Sequence, residues 1–366
     1  MSTIKTQRAM RVTPELYGWC LAASIPLVMG LFWPFFTVPW LLFCAYWIYT
    51  QYVAPEILDG HGKAVYITGC DSGFGQTIAL DLDSQGCYVF AGCLDINGEG
   101  AQELRDKGSD RLTVLELDVT SDEKVAHCAE TIEKFCEDKG LPGLWAVVNN
   151  AGVAMCGEVD FFPMEEYRRS MDVNLFGTIR VTKSVLRMVR QAQGRVISVT
   201  TGISRTVQPG RTPYCMAKSA MEAFMDSLRY EMRKFGVKCI VISPGNYTLM
   251  TKVYDHLSHH FDTKVRPQID ARTLADYGEE YIDAFKGSIV SVFRGKGSTL
   301  PYDLMILDSR EAVLSKRPRV RFNPSQLTWI VWWFVYFVFP CEISDLGYAY
   351  WQRILPKPAC LQKNKN

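Results

Sequence analysis

The pattern of hydrophobic and polar positions divides most of the chain into strands that alternate with helices. Short apolar runs rich in β-branched residues, each typical of a buried strand, are KAVYIT (63–68), GCYVFAGCLD (86–95), RLTVLELDV (111–119), LWAVV (144–148), GRVISVTT (194–201) and VKCIVISPG (237–245). Helical periodicity lies between them, most clearly over Glu165–Val189 and Ala217–Phe235. This alternation predicts an α/β fold with a doubly wound parallel sheet and right-handed crossovers.

A different pattern precedes these elements, because no charged residue occurs from Leu16 to Val53. As one helix this run would be roughly 57 Å long, against a hydrocarbon core of about 30 Å. Pro34 and Pro39 also interrupt it. We therefore predict an N-terminal membrane anchor, either two short spans at Tyr17–Trp33 and Trp40–Val53 or one tilted, kinked span.

Charge and cysteine usage bear on the side of the membrane. Lys5, Arg8 and Arg11 precede the apolar run, so the N-terminus is predicted to stay cytosolic. Two spans would return the remaining chain to the cytosol, whereas one span would place it in the lumen. The twelve cysteines are scattered, which suits free thiols in a reducing setting. We predict the endoplasmic reticulum membrane, with the mitochondrial inner membrane as the alternative.

A second apolar segment, TWIVWWFVYFVF (328–339), lies near the C-terminus. At helical rise it is roughly 18 Å long, which is too short to span a bilayer. Four basic residues that suit anionic headgroups precede it, namely Lys316, Arg317, Arg319 and Arg321. The segment predicts a contact that dips into the membrane interface. A buried core helix or a dimer contact is the alternative.

The first chemical motif follows the first predicted strand, in TGCDSGFGQTIAL (68–80). Gly69, Gly73 and Gly75 permit a tight turn and a close approach of the backbone to a ligand. The helical pattern that follows would supply free N–H groups and a positive dipole end for a pyrophosphate. The stretch predicts a Rossmann-type dinucleotide site.

Asp95 ends the second predicted strand, twenty residues beyond Gly75. At that distance a carboxylate can accept hydrogen bonds from the adenosine ribose hydroxyls. No Lys or Arg occurs in the glycine turn or from Gly92 to Asn97, so a 2′-phosphate would lack an obvious partner. NAD is therefore favoured over NADP, and a solvated loop acid is the alternative interpretation of Asp95.

Taken together, these motifs resemble the short-chain dehydrogenase/reductase family over residues 63–321. The resemblance rests on the order and spacing of Thr68-Gly69…Gly73-Phe74-Gly75, Asp118-Val119, Asn149-Asn150-Ala151-Gly152, Asn174, Tyr214…Lys218 and Pro244-Gly245. The phrases VFAGCL, LWAVVNNAG, SLRYEM, PGN and EAVLSKRPRVRF are similar to the branch that holds retinol dehydrogenases, type 2 17β-hydroxysteroid dehydrogenase and D-3-hydroxybutyrate dehydrogenase. The resemblance implies a nicotinamide-dependent enzyme that acts on CH–OH donors.

The family's catalytic roles fall on four residues. Tyr214 would be the general acid/base for an alcohol or carbonyl oxygen. A free tyrosine has a pKa near 10, and the ammonium of Lys218, on the same helical face, would lower it by stabilising the phenolate. By resemblance Lys218 also bonds the nicotinamide ribose, and Asn174 holds a water in the proton relay.

Thr201 departs from the family pattern, because it stands where the substrate-orienting serine is expected, thirteen residues before Tyr214. Threonine keeps the hydroxyl donor and acceptor but adds a methyl group and restricts χ1. We expect a working, narrower site. Ser204 is a poor substitute three residues further along, and Thr200 should point to the other face if the strand continues.

The resemblance also implies the cofactor contacts. These are the glycine turn, the ends of the second, third and fourth strands, the catalytic pair and the Pro-Gly pair: Gly69, Ser72, Gly73, Phe74, Gly75, Asp95, Asp118, Val119, Asn150, Ala151, Gly152, Tyr214, Lys218, Pro244 and Gly245. Thr248 and Thr251 are alternative matches for the threonine that contacts the nicotinamide amide. His256, His259 and His260 have helical spacing, but no carboxylate or cysteine constellation supports a metal there, and no metal is predicted.

These predictions together give a domain organisation. We predict a membrane anchor at 1–55, an NAD-binding dehydrogenase domain at 60–250, a substrate-covering segment at 251–325 and an apolar membrane-contact region with a tail at 326–366. Two membrane contacts suggest a lipophilic, steroid- or retinoid-like substrate and membrane lipid as partners. The net charge of +1 gives no indication of nucleic acid. Related enzymes commonly pair through their longest helices, which leaves a homodimer or homotetramer open.

Two alternative functions remain. Oxidation of D-3-hydroxybutyrate would need a cationic clamp for a small anion, for which Arg205 and Arg211 are the nearby candidates. A non-catalytic NAD(H)-binding membrane protein is favoured only by Thr201.

Overall fold

The computed structural model describes residues 56–247, 251, 256–294, 302–324 and 355–362, with short pieces at 38–39, 41–43, 45–46, 345 and 349. The chain divides into two compact units, Met1–Pro55 and Glu56–Asn366. Most of the predicted N-terminal anchor and all of segment 328–339 lie outside the described residues. Among the helices that the structure does describe, none combines the length and the apolar character needed to cross a membrane.

The second unit is built on a seven-stranded parallel sheet in the order β3-β2-β1-β4-β5-β6-β7. The strands are β1 Ala64–Thr68, β2 Tyr88–Cys93, β3 Leu112–Glu116, β4 Ala146–Asn149, β5 Arg195–Val199, β6 Lys238–Ile242 and β7 Arg321–Phe322. The six predicted strands are all present, each shorter than its apolar run. The predicted parallel α/β sheet is confirmed. β7 was not predicted, because a strand of two residues leaves no periodic pattern.

Helices cover both faces of this sheet. They are α1 Gly73–Ser84, α2 Glu99–Lys107, α3 Asp122–Asp138, α4 Met164–Met171, α5 Gly177–Gln191, α6 Thr212–Met232, α7 Leu257–His260, α8 Ala271–Tyr277, α9 Glu279–Arg294, α10 Tyr302–Leu314 and α11 Ala359–Gln362. Buried side chains of α1, α2 and α10 form one core cluster with the strands, and those of α3, α5 and α6 form the other. Apolar burial on both faces explains the nearly continuous hydrophobic strands.

Two predicted helices differ from the structure near the site. The run Glu165–Val189 is α4 and α5 joined by a π-helical turn, Asp172–Phe176. α6 begins at Thr212, five residues before the predicted start. Pro213 lies in its first turn, where the fixed φ of proline is compatible with a helix and its missing N–H costs nothing. Tyr214 therefore belongs to the first turn of a rigid helix.

The predicted covering segment packs through aromatic rings. Phe161 contacts Phe261, Tyr277 and Phe285 edge to face, with ring centroids 5.5–6.4 Å apart. The amphipathic stretch 276–293 is split by Gly278, whose φ of 81° separates α8 from α9. The segment after β6 is thereby packed on the loop that follows β4.

Three of the four basic residues before segment 328–339 form ion pairs in the described part of the protein, Lys316 with Glu56 at 3.0 Å. Arg319 pairs with Asp308 and Glu311, and Arg321 with Glu222 and Asp226. The headgroup interpretation is thus wrong for these two arginines, since their guanidinium groups hold α10 and β7 in the fold.

Candidate active site

One large cavity, of about 1030 Å³, opens at the carboxyl ends of the parallel strands. Ligands bind at this edge in open α/β sheets because the strand order reverses there. Nearly every predicted site residue lines it: Gly69, Ser72, Gly73, Phe74, Asp95, Asp118, Val119, Asn150, Ala151, Gly152, Thr201, Tyr214, Lys218, Pro244 and Gly245. Gly75 and Asn174, which are not among the lining residues, support neighbours that are. The fold therefore brings the predicted cofactor contacts and the predicted catalytic residues to one cavity.

The glycine turn between β1 and α1 is shaped by backbone contacts. Gly69 and Gly73 have φ of 69° and 63°, a left-handed conformation that favours glycine. A Cβ on Gly75 would overlap the Gly69 carbonyl oxygen and lie 2.6 Å from Asn150 Nδ2. The absent side chains let the turn pack closely against itself and against Asn150. The N-terminus of α1, where Ser72 makes no side-chain cap, is the kind of site that would hold a pyrophosphate.

Asn150 holds this turn from the neighbouring strand β4. Its Nδ2 donates to the carbonyl oxygens of Thr68 and Gly69, each at 3.0 Å. Thr68 Oγ1 in turn accepts from the backbone N–H groups of Asn150 and Ala151 at 3.0 and 2.9 Å. The Asn150 amide is therefore engaged within the protein, and its predicted cofactor contact falls to its backbone.

Asp71, which the sequence analysis did not single out, ties the glycine turn to the chain that follows β2. Its carboxylate accepts from the backbone N–H groups of Leu94 and Asp95, both at 3.0 Å. Asp95 is exposed at the cavity wall, and its Oδ1 accepts from the Asn97 N–H at 3.0 Å. The cavity-lining residues in 94–100 are Leu94, Asp95, Gly98, Glu99 and Gly100, and none is a cation. This end of the cavity therefore carries acidic and uncharged residues.

Asp118 follows β3 and bonds its own loop. Its Oδ1 accepts from the N–H and the Oγ1 of Thr120 at 2.9 and 2.7 Å. Partial burial opposes ionisation, but these hydrogen bonds prevail and lower the pKa of Asp118. With Val119 it supplies the cavity wall at the end of β3.

Tyr214 and Lys218 lie on successive turns of α6 and are 8% and 3% exposed. Lys218 Nζ donates to the Val199 carbonyl oxygen at 3.0 Å and lies 6.0 Å from the centroid of the Tyr214 ring. Burial lowers the pKa of Lys218 to about 8. A Tyr214 phenolate would favour the ammonium form of Lys218, and that ammonium would in turn stabilise the phenolate.

The three hydroxyl residues near β5 take different positions. Thr201 lines the cavity, and its hydroxyl has no hydrogen bond to any residue in the described part of the chain. Thr200 is also among the cavity-lining residues, but its Oγ1 is engaged by Ser243 Oγ at 2.8 Å. Ser204 Oγ donates to Glu222 Oε1 at 2.6 Å, which excludes it as a substitute for Thr201.

Asn174 lies in the π-helical turn and is fully buried. Its Nδ2 donates to the carbonyl oxygens of Val153 and Ser170 at 3.0 and 2.9 Å, and its Oδ1 accepts from the Val153 N–H at 3.1 Å. A π turn displaces backbone carbonyls from the regular helical ladder. The predicted relay water would therefore bind the backbone of Asn174 rather than its side chain.

The substrate side of the cavity carries Arg168, Arg169, Gln208, Arg211 and His256. Of the two arginines predicted as an anion clamp, only Arg211 lines the cavity.

Arg205 was the other clamp candidate, and the structure corrects that assignment. Its Nε donates to Glu222 Oε2 at 2.7 Å, behind the wall.

The remaining predicted positions are also accounted for. Thr251 lies beside Gly73, with its Cγ2 3.6 Å from where a Cβ would be, whereas Thr248 is outside the described residues. His260 Nε2 is 2.9 Å from Glu166 Oε2, while His256 lines the cavity. Within the described residues, no group of three or more His, Cys, Asp or Glu side chains is placed to bind a metal.

Comparisons with known proteins agree with this geometry. The short chain dehydrogenase family model matches residues 63–259. The chain is 39% identical over 292 residues to the mitochondrial D-beta-hydroxybutyrate dehydrogenase of Rattus norvegicus, covering 79% of this chain and 84% of the relative. It is 37% identical over 263 residues to retinol dehydrogenase 7 of Mus musculus, covering 71% and 80%. It is 32% identical over 319 residues to mouse estradiol 17-beta-dehydrogenase 2, covering 86% and 81%.

A solved structure shows the same fold at lower identity. A short-chain dehydrogenase from Streptomyces avermitilis superposes with a TM-score of 0.58 and 19% identity, over 80% of this chain and 96% of that one. The family match covers more than half of the chain, and the relatives exceed 30% identity over more than two thirds of it. The chain belongs to the short-chain dehydrogenase/reductase family, whose members here are oxidoreductases acting on CH–OH groups.

Proposed function

We propose that this protein interconverts a hydroxyl and a carbonyl group with NAD as the hydride carrier and Tyr214 as the general acid/base. The observation that carries the proposal is the position of Tyr214 and Lys218 on one face of α6, in the same cavity as the glycine cradle of β1 and α1. A nicotinamide bound by that cradle would accept or supply the hydride. The chain's own residues handle the proton.

In the oxidative direction the substrate hydroxyl sits between Thr201 and Tyr214. The Thr201 hydroxyl orients the substrate oxygen, and Tyr214 takes its proton as the hydride leaves the adjacent carbon. The Lys218 ammonium stabilises the Tyr214 phenolate that accepts this proton, because a nearby cation favours the charged form of tyrosine. Reduction runs these steps in reverse. General acid/base catalysis of this kind contributes a factor of about 10²–10⁴.

NAD is the proposed cofactor rather than NADP. The support is Asp95 at the cavity wall, with only uncharged and acidic residues lining the cavity at 94–100. A carboxylate accepts hydrogen bonds from two ribose hydroxyls, whereas it repels a 2′-phosphate.

The first candidate substrate is a lipophilic alcohol of steroid or retinoid type. Its support is the charge-free run from Leu16 to Val53 together with the apolar segment 328–339. Both segments suit an enzyme that meets its substrate at a membrane, and we propose the endoplasmic reticulum as its location. Relatives named as retinol and estradiol dehydrogenases fit this class.

The second candidate is a small hydroxy acid. The specific observation in its favour is Arg211, which lines the cavity three residues before Tyr214. A guanidinium binds a carboxylate in two-pronged fashion. The relative named as a D-beta-hydroxybutyrate dehydrogenase fits this class, and the mitochondrial inner membrane is the corresponding alternative location.

The test uses membranes that contain the full-length protein, NAD, and a panel of a steroid alcohol, a retinoid alcohol and D-3-hydroxybutyrate. NADH absorbance reports turnover, and Tyr214→Phe serves as the blank. Turnover that disappears in the variant supports the mechanism, and the active alcohol identifies the substrate class. Turnover that survives Tyr214→Phe contradicts it. NADH binding without turnover of any alcohol would favour the non-catalytic alternative.

Arg211→Gln separates the two substrate classes. With a hydroxy acid we expect the substrate KM to rise about tenfold to a hundredfold, since a charged hydrogen bond is lost. With a lipophilic alcohol we expect little change.

A further inference from the structure

Glu222 is a buried carboxylate one helical turn beyond Lys218 on α6. The residue is 5% exposed. Its Oε1 accepts from Ser204 Oγ at 2.6 Å, Thr200 Oγ1 at 3.2 Å and Ser243 Oγ at 3.3 Å. Its Oε2 accepts from Arg205 Nε and from Arg321 Nη1, each at 2.7 Å. Five donor atoms therefore lie within hydrogen-bond distance of one carboxylate. Thr200 Oγ1 and Ser243 Oγ also bond each other at 2.8 Å, so only one of these two hydroxyls donates to Glu222 at a time. The resulting four bonds match the number of lone-pair sites that a carboxylate offers.

Three of these donors flank Thr201 along the chain. Thr200 directly precedes it, Ser204 ends the short 3₁₀ turn Gly202–Ser204 that follows it, and Arg205 comes directly after that turn. The Ser204 hydroxyl lies within reach of two acceptors, since it is also 2.7 Å from the Thr201 carbonyl oxygen. The carboxylate thus holds the chain on both sides of the residue predicted to orient the substrate.

Two further contacts tie the same segment to α6. Lys218 Nζ donates to the Val199 carbonyl oxygen, and Ser219 Oγ donates to the Ser204 carbonyl oxygen. α6 also carries Tyr214. Its spacing from Lys218 and Glu222, at i, i+4 and i+8, places all three on one face. One rigid helix therefore carries the general acid/base and grips the segment that carries Thr201.

The charge on Glu222 is balanced within the protein. Burial opposes its ionisation, but the hydrogen bonds from Ser204 and Arg205 and the charges of Arg205 and Arg321 prevail, so the pKa of Glu222 is lowered. Asp226, one turn further along α6, shares Arg321 through a 2.7 Å contact. Its other described hydrogen bond is with Arg229.

We propose that Glu222 is a positioning residue for the dehydrogenase reaction, which sets the Thr201 hydroxyl relative to Tyr214 by clamping the segment 199–205 onto α6. The proposal rests on the proposed function and adds a residue to it. It also accounts for how the site works with threonine in place of serine. A branched side chain has fewer favourable χ1 rotamers than serine, so the position of its hydroxyl depends more on the position of its backbone.

The first measurement is independent of turnover. Amide hydrogen exchange of Gly202 and Ser204 is compared in the wild type, Glu222→Gln and the control Asp226→Asn, in the full-length protein. Loss of a buried charged acceptor weakens the clamp by roughly tenfold or more, so these amides should exchange faster by that factor in Glu222→Gln. In Asp226→Asn they should stay protected. Unchanged exchange in Glu222→Gln overturns the proposal.

The second measurement is a double-mutant cycle on kcat/KM. Misplacement of a reacting group by about 1 Å can cost a hundredfold in rate, so Glu222→Gln should lower kcat/KM by about tenfold or more, mostly through kcat. In a Thr201→Ala background the same change should have little further effect, because the hydroxyl it positions is gone. Equal losses in both backgrounds, or an equal loss in Asp226→Asn, would show only general destabilisation and overturn the proposal.

Folding and function failures remain distinguishable. Thermal unfolding of each variant establishes that it is folded, and Ser204→Ala replaces Glu222→Gln if the latter is not. Ser204→Ala leaves both arginine contacts of Glu222 intact and should show the same coupling to Thr201, with a smaller loss. If the wild type turns over no substrate, the proposed function fails, while the exchange measurement still decides whether Glu222 clamps the segment.

Discussion

The two halves of the cavity are built by different means. The cofactor half, around β1 and β2, depends on backbone: glycines without side chains, free N–H groups at the start of α1, and Asn150 and Asp71 holding loops through main-chain atoms. The catalytic half, around β5, β6 and α6, depends on buried charged side chains, chiefly Lys218 and Glu222. Substitutions in the first half should therefore weaken NADH binding, and substitutions in the second half should lower kcat.

The largest expected effect is in the catalytic half. Lys218→Met keeps the length of the side chain but removes its charge, so the Tyr214 phenolate loses its stabilising cation. We expect kcat to fall by about 10²–10⁴, with a much smaller rise in the Kd for NADH. Steady-state kinetics and NADH fluorescence titration measure the two quantities. Lys238→Met, at the start of β6 and away from the cavity, is the control. If Lys218→Met weakened NADH binding and left kcat unchanged, the contrast between a cofactor-binding half and a catalytic half would be wrong.

The next effect belongs to the cofactor half. Gly75→Ala places a Cβ against the Gly69 carbonyl oxygen and Asn150 Nδ2, so the turn must shift. If the shifted turn must return to its original position to bind NADH, an overpacking cost of about 1–3 kcal/mol raises the Kd for NADH by roughly fivefold to 150-fold. Gly287→Ala is the matched control, because its Cβ meets no atom within 4 Å on exposed α9. An NADH affinity equal to that of the wild type in Gly75→Ala would contradict the backbone argument.

A smaller effect tests the acidic end of the cradle. Asp95→Asn removes the charge that repels a 2′-phosphate and weakens the bonds to a ribose. The preference for NADH over NADPH, taken as the ratio of their Kd values, should fall by about tenfold or more. Asp110→Asn is the control, since its side chain is 92% exposed and lies outside the cavity. A ratio that does not change would support the solvated-loop interpretation of Asp95.

The same contrast explains what the sequence could predict. The backbone-built half depends on short stretches, because the glycine spacing, the strand before it and the helix after it are neighbours in the chain. The side-chain-built half joins distant positions. Glu222 accepts a hydrogen bond from Arg321, which lies ninety-nine residues further along the chain in the two-residue strand β7. From the sequence alone Arg321 is predicted to contact lipid headgroups, since no local pattern distinguishes a paired, partly buried guanidinium from an exposed one.

Prediction from local sequence also failed at two positions where contacts with distant parts of the chain determine the structure. The π-helical turn at Asp172–Phe176 interrupts an even helical periodicity, and Asn174 is engaged by Val153 and Ser170 across it. Asp71 was not singled out, although it lies within the glycine turn between Gly69 and Gly73, because its partners are the backbone N–H groups of the two residues that follow β2. A partner that is only a main-chain group leaves no residue-type signal to read.

The last prediction concerns stability and again separates the halves. Burial lowers the pKa of Lys218 from 10.5 to about 8, so between these values the unfolded chain holds a proton that the folded protein has released. Stability contributed by this group therefore rises with pH in that window, by at most about 1.4 kcal/mol per pH unit, and is constant below it. Buried cysteines, whose pKa values burial raises, act in the opposite direction above pH 9 in both proteins.

The informative quantity is thus the unfolding free energy of the wild type minus that of Lys218→Met, measured by urea denaturation between pH 7.5 and 10. The subtraction removes the cysteine contribution, which the two proteins share. We expect the difference to rise from pH 8 upward, because the wild type is relieved of a buried charge that the variant never had. Gly75→Ala, in the backbone-built half, changes no titratable group and should give a flat difference. A flat difference for Lys218→Met would mean that its ammonium stays protonated across the window, and that the catalytic half stabilises the charge more strongly than burial disfavours it.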